Sequence, residues 1–191
     1  VKWVQRLLFS AAAVLLGYCG YVWAEGWVFQ HREEARFERL VHAGASPAAL
    51  PAVGRDGLGR DGLIGRIEVP RLEVSVMVIE GTGAAVLQHA AGHIPGTALP
   101  GEPGNVGISA HRDTFFRPLR NIRANDEVTV RTLRGEYRYR VVSTRIVDPD
   151  DVGVLKPGRG ETLTLVTCYP FYFIGAAPRR FIVRAERIPV V

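Results

Sequence analysis

Residues 7–24 form an apolar run of 18 residues without a single charge, between Arg6 and Glu25, and they limit the architecture more than any other stretch. As a helix rising about 1.5 Å per residue, the run measures roughly 27 Å, enough to cross a hydrocarbon core. Trp3 stands at one end, and Tyr21, Trp23, Trp27 and Phe29 stand at the other. Such rings settle where an apolar layer meets water. Lys2 and Arg6 precede the run, whereas segment 32–39 sets Arg32, Arg36 and Arg39 against Glu33, Glu34 and Glu38. The positive-inside bias then places the N-terminus in the cytoplasm and everything beyond residue 30 outside. A cleaved secretory signal is the rival. The run exceeds most signal h-regions, and no small-x-small pair leads into a clean mature start. Tyr18 occupies the position before Cys19 that a lipid-attachment motif keeps small. The expectation is a retained single-pass anchor over residues 1–29.

Residues 30–40 predict a short helix leaving the membrane, with Phe37 and Leu40 on one face. From 43 to 63 the composition shifts to Gly, Ala, Pro, Arg and Asp, with the pentapeptide Gly-Arg-Asp-Gly-Leu at 54–58 and again at 59–63. Two copies are too few for a solenoid, and so much glycine does not favour a packed core. Residues 30–63 therefore read as a stalk and tether that lets the folded part stand off the bilayer. Overall the chain is 47% apolar and 23% charged, which excludes a disordered or collagen-like polymer. Its net charge of +5 is modest and scattered, so no nucleic-acid footprint is indicated. Two cysteines make no disulfide scaffold, and Cys-x-x-Cys spacing is absent.

The remainder, residues 64–191, is long enough for one domain with a single core. Strand patterns occur at 65–69, 74–79, 105–110, 127–132, 137–147, 162–167 and 181–187, with a brief helix at 84–91. Many short strands parted by Gly/Pro turns, with little helix, predict an all-β barrel or sandwich.

Cys168 ends the run Thr162-Leu-Thr-Leu-Val-Thr, at the lip of a sheet, and Tyr169-Pro170 breaks the strand after it. Pro178-Arg179-Arg180 leads into the last strand. If the two strands pair antiparallel, Cys168 and Arg180 meet at one edge. The thiolate is the nucleophilic form of cysteine, and a nearby cation favours it. An Arg cannot act as base, but it can donate hydrogen bonds to an oxyanion. Of the histidines, His31 and His42 fall in the stalk, and His89 sits on the short helix as a surface residue. His111 ends strand 105–110 at the mouth of a loop, as Cys168 ends its own strand. Each has a plainer reading: a buried small hydrophobe for Cys168, a strand-end polar group for His111, a solvated edge charge for Arg180. Spacing alone does not decide between the two.

Three ordered motifs bear on that choice. They are Gly92-His-Ile-Pro-Gly-Thr-Ala-Leu-Pro-Gly followed by Gly104-Asn-Val-Gly-Ile-Ser-Ala-His-Arg-Asp-Thr, then Leu163-Thr-Leu-Val-Thr-Cys-Tyr-Pro, and finally Arg180-Phe-Ile-Val-Arg-Ala. Together they resemble the sortases, most of all the class D group, over residues 64–188. The resemblance implies an eight-stranded β-barrel with short helices behind an N-terminal transmembrane helix, and it implies a cysteine transpeptidase. It places the catalytic His, Cys and Arg on His111, Cys168 and Arg180. Arg179 is the neighbour that competes for the last role, and the family's spacing to a following small Ala selects Arg180. Ala110 departs from the Gly often found before the His. His93 is a decoy that shapes a loop.

In that reading Cys168 attacks the Thr carbonyl of a C-terminal Leu-Pro-x-Thr-Gly/Ala-like sorting signal on a secreted protein. An amine on a cell-wall precursor or a pilin-like protein then resolves the thioester. The implied location is the cytoplasmic membrane, with the catalytic domain on its outer side. No metal or organic cofactor is required, and Asp148, Asp150 and Asp151 read as a turn. Thr114, Thr167 and Tyr169 are candidate substrate contacts. For Tyr169, Phe171, Tyr172 and Phe173, packing of the hairpin is an equal alternative. Two other functions stay open from the residues: a tethered cysteine peptidase that releases the acyl group to water, and a non-catalytic surface module in which Cys168 only packs.

Overall fold

The computed structural model describes residues 2–42, 62–158, 160–172 and 175–189. The glycine-rich tether at 43–61 lies outside the described residues.

One helix, α1 (Lys2–His42), runs for 41 residues. It is the one described helix long and apolar enough to cross a membrane, and its apolar stretch is not buried against the rest of the protein. The helix does not stop after the apolar run. The boundary expected at residues 29 and 30 falls inside it, and the short helix expected at 30–40 is its continuation. Nor does that continuation stand free. Phe37 is 2% exposed and packs with Leu63, Met77 and Leu133. Gln30 accepts from the Met77 N–H at 3.0 Å and donates to the His89 carbonyl. Arg66, itself buried, reaches Glu34 at 2.7 Å and Glu38 at 3.4 Å. The alternating signs in 32–39 are thus resolved by one cation on the barrel.

Eight strands follow: β1 (Leu63–Val69), β2 (Val74–Glu80), β3 (Ala91–His93), β4 (Gly104–Ser109), β5 (Glu127–Thr132), β6 (Gly135–Val147), β7 (Glu161–Tyr169) and β8 (Arg179–Arg187). They close into a barrel in the order β1-β2-β3-β4-β7-β8-β6-β5, with β5 returning to β1. The expected eight-stranded barrel is observed. Two of its pairs, β2–β3 and β4–β7, are parallel, and the others are antiparallel.

Alternation explains the interior. Val106 and Ile108 on β4, Leu163 and Leu165 on β7, and Val183 and Ala185 on β8 point inward with Ile67, Val78, Val128, Val130 and Tyr139, all 1% exposed or less. Each such Val, Leu or Ile side chain contributes about 2 kcal/mol by leaving water. The intervening residues face out, and this parity later decides which side chains share a cleft.

The region 84–93 differs from expectation. The short helix α2 (Ala84–His89) ends before Ala90, and Ala91–His93 is a strand parallel to β2. His93 sits on that strand, 2% exposed, with Nδ1 2.6 Å from Glu80 Oε2 and Nε2 3.0 Å from the Ala98 carbonyl. It therefore fixes the loop 94–98 from within the sheet. His89 is half-buried, beneath the ring of Phe29, and is not a free surface residue.

Candidate active site

Sheet register brings the three chemical side chains to one end of the barrel. On the antiparallel β7–β8 pair, Cys168 stands directly opposite Arg180. Directly opposed residues project to the same face with Cβ atoms about 5 Å apart. On the parallel β4–β7 pair, Ser109 aligns with Val166, and the Ala110 N–H bonds the Val166 carbonyl at 3.2 Å. His111 therefore leaves β4 at the level where Cys168 nears the end of β7.

Parity gives the face. Val106, Ile108 and Ala110 belong to the core, as do Leu163 and Leu165, while Thr167 is 2% exposed. Cys168 alternates with these and lies on the outer surface together with Arg180, and His111 follows Ala110 just beyond the end of β4. Cys168 and Arg180 are half-buried and His111 is exposed. Arg179, opposite Tyr169, projects to the other face, and its guanidinium lies 3.8 Å from Asp148. Geometry thus separates the two adjacent arginines.

Two connections cover the lower part of this outer face. Loop 94–98 lies on β4 at Gly107, where a Cβ would sit only 3.0 Å from Thr97 Cγ2 and 3.2 Å from Ile94. Gly107 leaves room for that loop, and its N–H donates to Thr97 Oγ1 at 3.1 Å. The second cover is the 3-10 turn Val152–Leu155, whose Val154 carbonyl accepts from Asn105 Nδ2 at 3.2 Å and from Arg184 at 3.3 Å. Asn105 Oδ1 accepts in turn from Thr164 at 2.8 Å and Thr162 at 3.1 Å. Ser109 and Val166 stay half-exposed beneath His111 and Cys168 as the floor of a cleft.

Arg180 is held by its own loop. Its Nη1 donates to the carbonyls of Ala177 at 3.3 Å and Arg179 at 3.1 Å. Such bonds orient the planar fork yet leave donor capacity for a developing oxyanion. The thiol is free, as is that of Cys19 in α1.

The three candidate substrate contacts are placed differently. Thr167 is buried, and its hydroxyl donates to the Ala110 carbonyl at 2.8 Å. Tyr169 is half-buried on the face of Thr167, with ring centroids 6.1 Å from Phe171 and 6.5 Å from Phe181. Thr114 is exposed in the turn after His111, where its carbonyl accepts from the Arg117 N–H at 3.2 Å. Sequence reasoning passed over Arg112. It is 9% exposed beside His111, and its Nη2 reaches the Gly175 carbonyl at 2.9 Å, tying the His-bearing turn to the β7–β8 loop. An Arg in a polar loop gives no sequence sign of burial. Among the described residues, no group of three His, Cys, Asp or Glu side chains is gathered as a metal site. Asp148 and Asp151 form the expected turn, and the Asp151 side chain accepts from Gly153 N–H at 3.1 Å.

Comparison with known proteins gives a consistent result. A family model described as "Sortase domain" matches residues 67–188. The chain is similar to Sortase D of Bacillus subtilis (strain 168), with 36% identity over 125 residues, 65% of this chain and 63% of the relative. It is similar to Sortase A of Listeria monocytogenes, with 29% identity over 119 residues, 60% of this chain and 53% of that one. The matches thus span less than two thirds of either relative's length. Among solved structures, a Clostridium perfringens Sortase D5 transpeptidase superposes with a TM-score of 0.63 at 29% identity, covering 70% of this chain and 84% of the other.

Proposed function

Because the chain belongs to the sortase family, we propose that it is a membrane-anchored cysteine transpeptidase acting on the C-terminal sorting signals of secreted proteins. The observation that carries the reading is the opposition of Cys168 and Arg180 on β7 and β8, with His111 following the end of β4 that is bonded alongside β7.

The Cys168 thiolate attacks the Thr carbonyl carbon of a Leu-Pro-x-Thr-Gly/Ala-like segment and forms a C–S bond. Negative charge moves to the carbonyl oxygen, where the Arg180 guanidinium donates to it. As the C–N bond breaks, protonated His111 gives its proton to the leaving amine. The acyl group then rests on sulfur as a thioester. Neutral His111 takes a proton from an incoming amine, which attacks the thioester carbon. Collapse restores the thiolate and a new amide, so atoms and protons balance over the two halves. The acceptor is an amine on a cell-envelope precursor or on a second protein.

Lys2 and Arg6 before the apolar run support an N-terminus in the cytoplasm and a barrel on the outer side. Thr114 is proposed to border the bound peptide, Thr167 to support the cleft from beneath, and Tyr169 to pack the hairpin with Phe171 and Phe181.

Mass spectrometry of the full chain with a Leu-Pro-x-Thr-Gly peptide tests the proposal. The expected species is an acyl adduct on Cys168 that a saturating amine converts to amide product. Free acid as the only product at saturating amine would make the protein a peptidase. No adduct at all would make it a binding module.

A further inference from the structure

The docked half of α1 fixes where the barrel stands above the bilayer. The apolar run ends at Ala24, and the ties to the barrel begin at Phe29 and Gln30, the first against the His89 ring and the second on the His89 carbonyl. Six residues of helix raise Gln30 about 9 Å above Ala24. The headgroup layer occupies roughly 6 Å on each side of the hydrocarbon. A helix has a radius of about 5 Å, so the His89 end of α2, held at the level of Phe29 and Gln30, comes within reach of that layer. Tilt of α1 brings it nearer still.

The composition of this part of the barrel fits such a position. Residues 81–101, which include α2 and β3, contain no Asp, Glu, Lys or Arg in a chain that is 23% charged. Thr82, Gly83, Ala84, Ala85 and Gln88 are exposed there and offer a small-residue surface with no ion to desolvate. The opposite wall has the contrary character. In the barrel order β6 stands across from β3, and its exposed residues include Glu136, Arg138, Arg140 and Arg145.

We propose that the α2–β3 side of the barrel is apposed to the outer surface of the bilayer that α1 spans, making a lipid headgroup layer its partner. This rests on the proposed anchor. β4, whose end leads two residues on to His111, is the next strand along from β3, so the cleft opens beside the membrane surface and is not buried against it. A substrate still tethered by its own apolar segment then meets the cleft laterally.

The test uses the full chain in liposomes, with Cys19→Ala and Cys168→Ala removing the native thiols. A fluorophore is attached to one introduced cysteine at a time: Ala85→Cys on α2, Arg138→Cys on β6 and Leu15→Cys in the apolar run. Lipids carry a quencher either on the headgroup or deep in the acyl chain. The expected result is that headgroup quencher reduces emission at position 85 several-fold more than at position 138, while acyl-chain quencher acts on position 15. Equal quenching at 85 and 138, with position 15 still quenched, would overturn the apposition and leave the anchor standing. Loss of quenching at position 15 would overturn both.

Discussion

The hydroxyl of Thr167 donates to the carbonyl of Ala110 at 2.8 Å, inside the barrel and one residue behind both Cys168 and His111. The bond ties the end of β7 to the end of β4. It lies beside the backbone bond from Ala110 N–H to the Val166 carbonyl, just past the last ladder pair, Ser109 and Val166. Thr167→Val keeps the shape but leaves the buried Ala110 carbonyl unpaired, at a cost of about 1–3 kcal/mol. We expect a lower unfolding midpoint and a fall in kcat larger than the change in KM, with Thr167→Ser restoring most of the rate. A Thr167→Val enzyme with kcat unchanged would show that the strap does not position the cleft.

Cys168 and Arg180 separate in their consequences. Cys168→Ala removes a half-buried sulfur from an outer face, so the barrel should melt normally while the acyl adduct disappears from the mass spectrum. Arg180→Lys keeps the charge but loses the planar set of donors. Removing an oxyanion donor lowers kcat by roughly 100- to 1000-fold, and that is the range expected. Arg179→Ala is the control. Its guanidinium faces Asp148 on the other side of the strand, so its rate should stay within about threefold, a change under 1 kcal/mol in barrier. The reverse ranking of the two arginines would move the oxyanion role to Arg179.

Much of this arrangement could be read from residue order. Strands with a strict period, such as 127–132 and 162–167, appear where alternation put them. The opposition of Cys168 to Arg180 follows from antiparallel pairing across the β7–β8 loop. β3 was hidden because three residues, Ala91, Gly92 and His93, carry no period and adjoin a helix of the same apolar composition. The docking of α1 was hidden for another reason. Gln30, Glu34 and Glu38 look like a solvated helix face, and the groups that cover it, Arg66, Met77 and His89, lie far along the chain. Thr167 is a candidate substrate contact by sequence because it adjoins the nucleophile. Strand parity, which was legible, already turns it inward.

Docking of α1 can be measured apart from catalysis. Phe37 is the buried contact of the helix with the barrel, and truncating a buried Phe costs about 3–5 kcal/mol at a core site. Phe37→Ala should raise amide hydrogen exchange over residues 30–42 and at the Met77 N–H, which loses its hold on Gln30. Exchange in β7 and β8 should stay as it was. Protection unchanged at Met77 would mean that the polar ties of Gln30, Glu34 and Glu38 hold the helix by themselves.

A last expectation concerns acid. Arg71 grips Asp126 with two bonds, Nε to Oδ1 at 2.5 Å and Nη2 to Oδ2 at 2.6 Å, and the Arg123 N–H adds a third at 2.7 Å. The Arg71 bonds hold the Asp126 carboxyl below its ordinary value of 3.8, against the upward push of burial, with help from the Arg123 N–H. A carboxyl lowered in the folded state stabilises the fold fully above its unfolded value, and that contribution fades as pH falls through the lower folded value. The corner joining the turn after β1 to the start of β5 should therefore weaken only below about pH 4. Asp126→Asn forfeits the contribution at neutral pH, so its unfolding midpoint should fall by several degrees at pH 7 and converge on the parent's under strong acid. A constant gap between the two proteins from pH 7 to pH 2 would show that the carboxylate's charge is not what holds this corner.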